Sequence, residues 1–313
     1  MVLAPMGGAV TPTLAAAVSN AGALGMLPLT WTPPDEIATV VDETRLRTER
    51  PFGVNLGLAW DQRERLASVL TAGVRVVSFF WGDASAVIGE ARDAGTIVFV
   101  TVGTAEEGRA AAAAGADVVV AQGWEAGGHV WGTVSTLALV PRVVDAVAPV
   151  PVVAAGGIAD GRGLAAVLAL GAVGAWVGTR FLATPEAAIH PDYRRRILAA
   201  GEADTFYGTL FDRGWPDAPH RTLRNSTVEA WEQAGQPESG SRPGEDDEPA
   251  SRPDGSPINR YAASTPTAAM AGDVEPLPHW AGQGVGLVTR QEPAADIVHS
   301  LVDEAEEVIL SLG

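Results

Sequence analysis

The chain reads as an α/β protein: a closed parallel barrel of the TIM (β/α)8 type, with an insertion before its last helix. Two observations predict this. Short β-branched runs alternate with alanine-rich amphipathic stretches at intervals of roughly 20 to 25 residues, the signature of repeated βα units. The strand runs are also apolar nearly throughout, as a parallel sheet covered on both faces requires. An open doubly wound sheet is the alternative. No GxGxxG follows the first strand, however, and the glycine-rich turns come after the sixth, seventh and eighth.

The strands predicted in order are Val2–Ala4, Gly25–Pro28, Phe52–Asn55, Val76–Phe79, Ile97–Thr101, Val118–Gln122, Val152–Ala155 and Ala175–Gly178. Most of them are rich in Val, Ile, Ala or Phe. Between them lie helical patterns at Thr13–Asn20, Asp61–Thr71, Ala84–Ala94, Ala105–Ala114, Ser135–Val147 and Gly161–Leu170, several opened by Ser, Thr or Asp as N-caps. Beyond residue 184 the rhythm stops. Pro185–Ala200 looks helical, and Pro293–Leu312 reads as a closing amphipathic helix. The expected division is therefore a barrel over 1–184 and 285–313, with an insertion or lid over 185–284. Residues 233–257, "QAGQPESGSRPGEDDEPASRPDGSP", are rich in Pro, Gly, Ser and acid and predict a mobile surface loop.

Composition excludes several chemistries. A net charge of −17 gives no electrostatic footprint for nucleic acid or an anionic membrane. There is no cysteine, so cysteine nucleophiles, disulfides and iron–sulfur clusters are absent. There is no lysine either, which removes every Schiff-base mechanism. No run has the length or flanks of a signal peptide or a membrane span, so a soluble cytoplasmic protein is expected.

Phosphate binding is expected where the last two strands end. Gly156 and Gly157 leave the seventh strand and are followed by Asp160, a helix N-cap candidate, while Gly178 and Thr179 follow the eighth. In barrels of this kind the amides of these two loops commonly hold a phosphate, although either glycine set alone serves equally well to turn the chain.

The stretch "AQGWEAGGHVWG", Ala121 to Gly132, leaves the end of the sixth strand. Gly123, Gly127 and Gly128 permit close approach of a flat ligand to the main chain, and His129 would face the barrel mouth. The other four histidines, His190, His220, His279 and His299, fall outside the eight predicted strands and read as structural. With no second ligand at suitable spacing, a metal site is not expected. Asn55 and Gln122 end strands three and six. Their amides suit a heterocycle with both donors and acceptors, such as a flavin's pyrimidine edge, or they cap neighbouring loops. Glu125 reads as a residue that orients the loop, with general base as the other possibility.

The segments "LAPMGGAVTPTLAAAVSNAGALGML", "FGVNL", "AQGWEAGGHVWG", "PVVAAGGIADGRGL", "WVGTRFLATPEA" and "WAGQGVGLV" resemble, in that order, the FMN-dependent nitronate monooxygenases, formerly 2-nitropropane dioxygenases. The resemblance implies FMN bound noncovalently at the C-terminal mouth of the barrel. By motif position it implies cofactor contacts at Asn55, Gln122, Gly127, Gly157, Trp176, Val177, Gly178 and Thr179, with His129 as the catalytic histidine. The substrates implied are a nitronate or nitroalkane and O2, and the products a carbonyl compound and nitrite. Thr101 stands where the family often has lysine, and Trp124 and Trp131 are expected to narrow the pocket. The same glycine loops are compatible with the flavin-dependent type II enoyl-acyl-carrier-protein reductases, with NADH:quinone reductases, and with a flavin-binding module that does not turn over.

Overall fold

The computed structural model describes residues 1–312. Nine strands precede residue 180: β1 (Val2–Leu3), β2 (Gly25–Pro28), β3 (Phe52–Gly57), β4 (Val76–Phe80), β5 (Ile97–Val102), β6 (Val118–Gln122), β7 (Gly128–His129), β8 (Val152–Ala155) and β9 (Gly174–Val177). All except β7 form one parallel sheet in the order β1-β9-β8-β6-β5-β4-β3-β2. A parallel bridge from Val2 to Leu24, beside the start of β2, closes the ring. The predicted barrel is the observed one.

Alternation along each strand sorts side chains into two layers. Val2, Met26, Val76, Phe99, Val120, Val153 and Trp176 point inward and fill the barrel as one cluster. Their neighbours Leu3, Leu27, Val77, Val100, Val119, Ala154 and Val177 pack outward against the helices. Those helices are α1 (Pro12–Asn20), α2 (Ile37–Arg45), α3 (Arg63–Thr71), α4 (Ser85–Asp93), α5 (Ala105–Ala114), α6 (Thr136–Val147) and α7 (Gly161–Ala169). Thr104 caps α5 by accepting from the Glu107 amide, and Asp160 caps α7 by accepting from Gly163.

After β9 come α8 (Thr179–Leu182), α9 (Pro191–Ala199), β10 (Thr205–Gly208), β11 (His220–Leu223), α10 (Ser226–Gln233), β12 (Ala250–Ser251), β13 (Pro257–Ile258), β14 (Ala271–Gly272) and α11 (Ala294–Leu312). The last of these packs against α7 and α1 and completes the helical ring. The helix expected from Pro185 starts only at Pro191, because proline suits a first helical turn and His190 Nδ1 accepts from the Asp192 amide just ahead of it.

The acidic span 233–257 is tied down in ways its composition conceals. The Arg242 side chain, only 4% exposed, pairs with Asp212 at 3.0 Å and Glu245 at 2.6 Å. Its guanidinium also lies 4.1 Å over the Tyr261 ring. One buried cation thus gathers carboxylates that would otherwise repel, and β12 pairs with both β13 and β14 beside it.

A second small sheet reaches the histidine loop. β10, β11 and β7 form an antiparallel ribbon in which His129 stands opposite His220 and Gly128 opposite Arg221. It joins the histidine loop of the barrel to the insertion. Among the described residues, no helix is long and apolar enough to cross a membrane.

Candidate active site

The C-terminal ends of the barrel strands and the insertion enclose a cavity of about 620 Å³. That lies within the range of roughly 300 to 1,000 Å³ usual for small-molecule sites. Asn55, Thr101, Gln122, Gly127, His129, Gly157, Trp176, Gly178 and Thr179 all line it. Val177 does not: strand alternation turns its side chain into the outer core, and its carbonyl accepts from the Ala4 amide.

His129 is held from two directions. Gln122 uses both ends of its amide on the histidine strand, Nε2 donating to the His129 carbonyl at 3.2 Å and Oε1 accepting from the Trp131 amide at 2.9 Å. The imidazole stacks on Trp215 with ring centroids 3.9 Å apart, and Trp280 and Trp81 approach it at 5.4 and 5.7 Å. Burial among these rings, reinforced by His220, lowers its pKa to about 3, so the imidazole is neutral at ordinary pH. Its Nε2 is buried with no hydrogen-bond partner.

The other end of the cavity is backbone. Gly156 and Gly157 adopt φ of 104° and 73°, in the left-handed region that glycine occupies without strain. Gly127 passes so close to the main chain of Ala281 and Gly282 that a Cβ would collide with it. Thr179 Oγ1 accepts from the Gly282 amide at 3.0 Å and fastens the same strap. Asn55 is not free either, since its Nδ2 donates to Ser78 Oγ at 2.7 Å.

Glu125 orients the loop. Its carboxylate accepts from the amide and hydroxyl of Thr136 at the start of α6. The two tryptophans flanking the histidine do not narrow the cavity as expected. Trp124 lies 4.3 Å under the Arg221 guanidinium, and Trp131 Nε1 donates to Glu107 at 3.0 Å. The cavity wall is instead built from Trp31, Trp176, Trp215 and Trp280.

His220, far from His129 in the chain, is brought beside it by the β7–β11 pairing. Its ring sits 5.7 Å from His129, yet both nitrogens are engaged: Nε2 accepts from the Phe211 amide and Nδ1 lies 2.9 Å from the Ala218 carbonyl. Its part is structural. Among the described residues no group of three or more His, Cys, Asp or Glu is placed to hold a metal.

A family profile described as nitronate monooxygenase matches residues 1–64 and 57–304. The chain belongs to the nitronate monooxygenase family. Within that family it is 34% identical to the nitronate monooxygenase of Pseudomonas aeruginosa, over 97% of this chain and 95% of the relative. The solved nitroalkane oxidase of Streptomyces ansochromogenes superposes with a TM-score of 0.81 at 34% identity, covering 100% of this chain and 97% of that one. A higher identity over a shorter span, 41% across 72% of this chain, relates it to the (3aS,4S,5R,7aS)-5-hydroxy-7a-methyl-1-oxo-octahydro-1H-indene-4-carboxyl-CoA dehydrogenase of Mycobacterium tuberculosis. The match spans 63% of that relative's length, less than two thirds.

Proposed function

We propose that this family member is an FMN-dependent nitronate monooxygenase that oxidises alkyl nitronates, or nitroalkanes, with O2 to a carbonyl compound and nitrite. The observation that carries this reading is His129: a neutral imidazole with an unpartnered buried nitrogen, fixed on the wall of a glycine-rimmed cavity. An enclosed nitrogen without a partner is costly, on the order of 1–3 kcal/mol, and a ligand in the cavity supplies a group for it.

The residues present fit FMN. Gly156, Gly157, Gly178 and Thr179 offer amides and a hydroxyl to a phosphate, a role for which no lysine is needed. Asn55 and Thr101 would face the ring system, with Trp176 flooring the cavity. Bound there, the flavin supplies the electron acceptance that nitronate oxidation requires. His129, whose burial disfavours taking up a proton, contributes chiefly by donating a hydrogen bond from its neutral ring to an anionic nitronate; a neutral nitroalkane is taken up once ionised. The aromatic wall excludes water and so strengthens that hydrogen bond.

A second reading, flavin-dependent oxidation or reduction of an acyl thioester, is favoured by the identity to the Mycobacterium tuberculosis dehydrogenase. Arg213 and Arg252, which line the cavity from the insertion, would suit an anionic carrier. Two assays separate the readings. The purified protein should release FMN on denaturation and form nitrite from an alkyl nitronate in air, and His129→Ala should keep the flavin while losing nitrite formation. Flavin without nitrite, and turnover with an acyl-CoA thioester, would favour the second reading.

A further inference from the structure

Five of the nine tryptophans form one connected cluster beside the cavity: Trp31, Trp60, Trp81, Trp131 and Trp215. Two of them meet His129 directly. Trp215, 7% exposed, lies nearly parallel to the imidazole, with 25° between planes. Trp81 meets it edge-on at 87° and also packs on Trp215 at 5.0 Å.

Trp81 has φ of 65°, a left-handed backbone that a bulky residue rarely adopts. Strain of this kind persists only where surrounding packing over-determines it, and it gathers at functional sites. Here it turns the end of β4 so that one indole touches His129, Trp131 and Trp215 together. With Gln122 holding the His129 backbone, an indole flat on the ring blocks rotation of the imidazole about its own bond.

We propose that Trp215 is a positioning residue for His129: its stacked indole fixes the plane of the imidazole and keeps water from it, with Trp81 as the buttress. This rests on the reading of His129 as the reacting side chain. His220 on β11 is the titratable neighbour that bears on His129. Arg221, beside it, turns to Trp124, Glu107 on α5 is engaged by Trp131, and Arg213 turns toward Asp246. Removal of Trp215 therefore changes the hydration of the imidazole more than its charge partners.

The test is the titration of the His129 imidazole by long-range proton–nitrogen NMR, assigned with His129→Ala, in the wild-type protein, Trp215→Leu and Trp215→Phe. Nitronate turnover and flavin retention are measured in parallel. In the wild type the His129 signal should stay unprotonated down to about pH 5, whereas in Trp215→Leu its midpoint should move toward the ordinary histidine value of about 6.5. Turnover in Trp215→Leu should fall by about 10-fold or more with flavin still bound, and Trp215→Phe should retain most of it.

A wild-type titration with wild-type turnover in Trp215→Leu would overturn the proposal, and so would lost turnover with an unmoved titration. If Trp215→Leu does not fold, Trp81→Leu is judged by the same two criteria. Full turnover in His129→Ala would instead remove the reading on which the proposal rests, whatever Trp215 does.

Discussion

His129 and His220 face each other across the β7–β11 pair, ring centroids 5.7 Å apart, His220 fully buried and His129 half-buried with its Nε2 enclosed, both neutral. Burial lowers the pKa of His129 to about 3 and of His220 to about 4, and His279 behind the cavity is lowered to about 3 in the same way. In the unfolded chain each sits near 6.5, so below that pH the unfolded state binds protons that the folded state refuses. Stability is therefore full above about pH 6.5 and lost as pH falls toward 4, at up to roughly 1.4 kcal/mol per pH unit for each histidine. Urea midpoints measured from pH 7.5 to 4.5 should fall through this window. A flat profile would show that the three imidazoles are hydrated.

His220→Leu should be strongly destabilising. The change strands the Phe211 amide and the Ala218 carbonyl, which the ring now satisfies at 3.2 and 2.9 Å. Two such groups cost about 2–4 kcal/mol together, read as a lowered urea midpoint with unchanged slope. Because β11 is the partner of His129, nitrite formation should fall as well.

Gly127→Ala tests the junction between the histidine loop and the strap at Ala281–Gly282. A methyl there meets main chain on both sides, so the two segments must separate. Flavin retention, measured as the ratio of visible to ultraviolet absorbance, should drop sharply. Gly157→Ala should cost a further 1–2 kcal/mol or so through its left-handed backbone alone.

Arg242→Ala should unfasten the acidic span. Removing one partner from a buried ion pair costs about 3–5 kcal/mol, because Glu245 and Asp212 are left facing one another. Limited proteolysis should then cut between residues 233 and 257 well before the barrel.

What the sequence made legible was local. Val118–Gln122 is a β-branched run, Ala105–Ala114 an alanine helix closed by Gly115, and both appear with the predicted bounds. Gly157, Gly178 and Thr179 line the cavity because strand order places them at one end of the barrel. The histidine ribbon was not legible. Gly128 has no intrinsic strand preference, and its pairing with Arg221 is created by the insertion folding back. Trp124 and Trp131 looked like pocket walls by adjacency, yet strand and turn geometry sends both outward, while the distant Trp215 and Trp280 come in. Composition likewise hid Arg242, since an arginine among acids looks solvated until its burial is seen.

The most direct measurement is an anaerobic visible-absorbance titration of the purified holoprotein with an alkyl nitronate, and separately with NADH and with an acyl-CoA thioester, followed by admission of air. Nitronate monooxygenase chemistry predicts bleaching of the flavin by the nitronate, little by the other two, and nitrite once oxygen enters. Rapid bleaching by NADH or the thioester, with none by the nitronate, would contradict it.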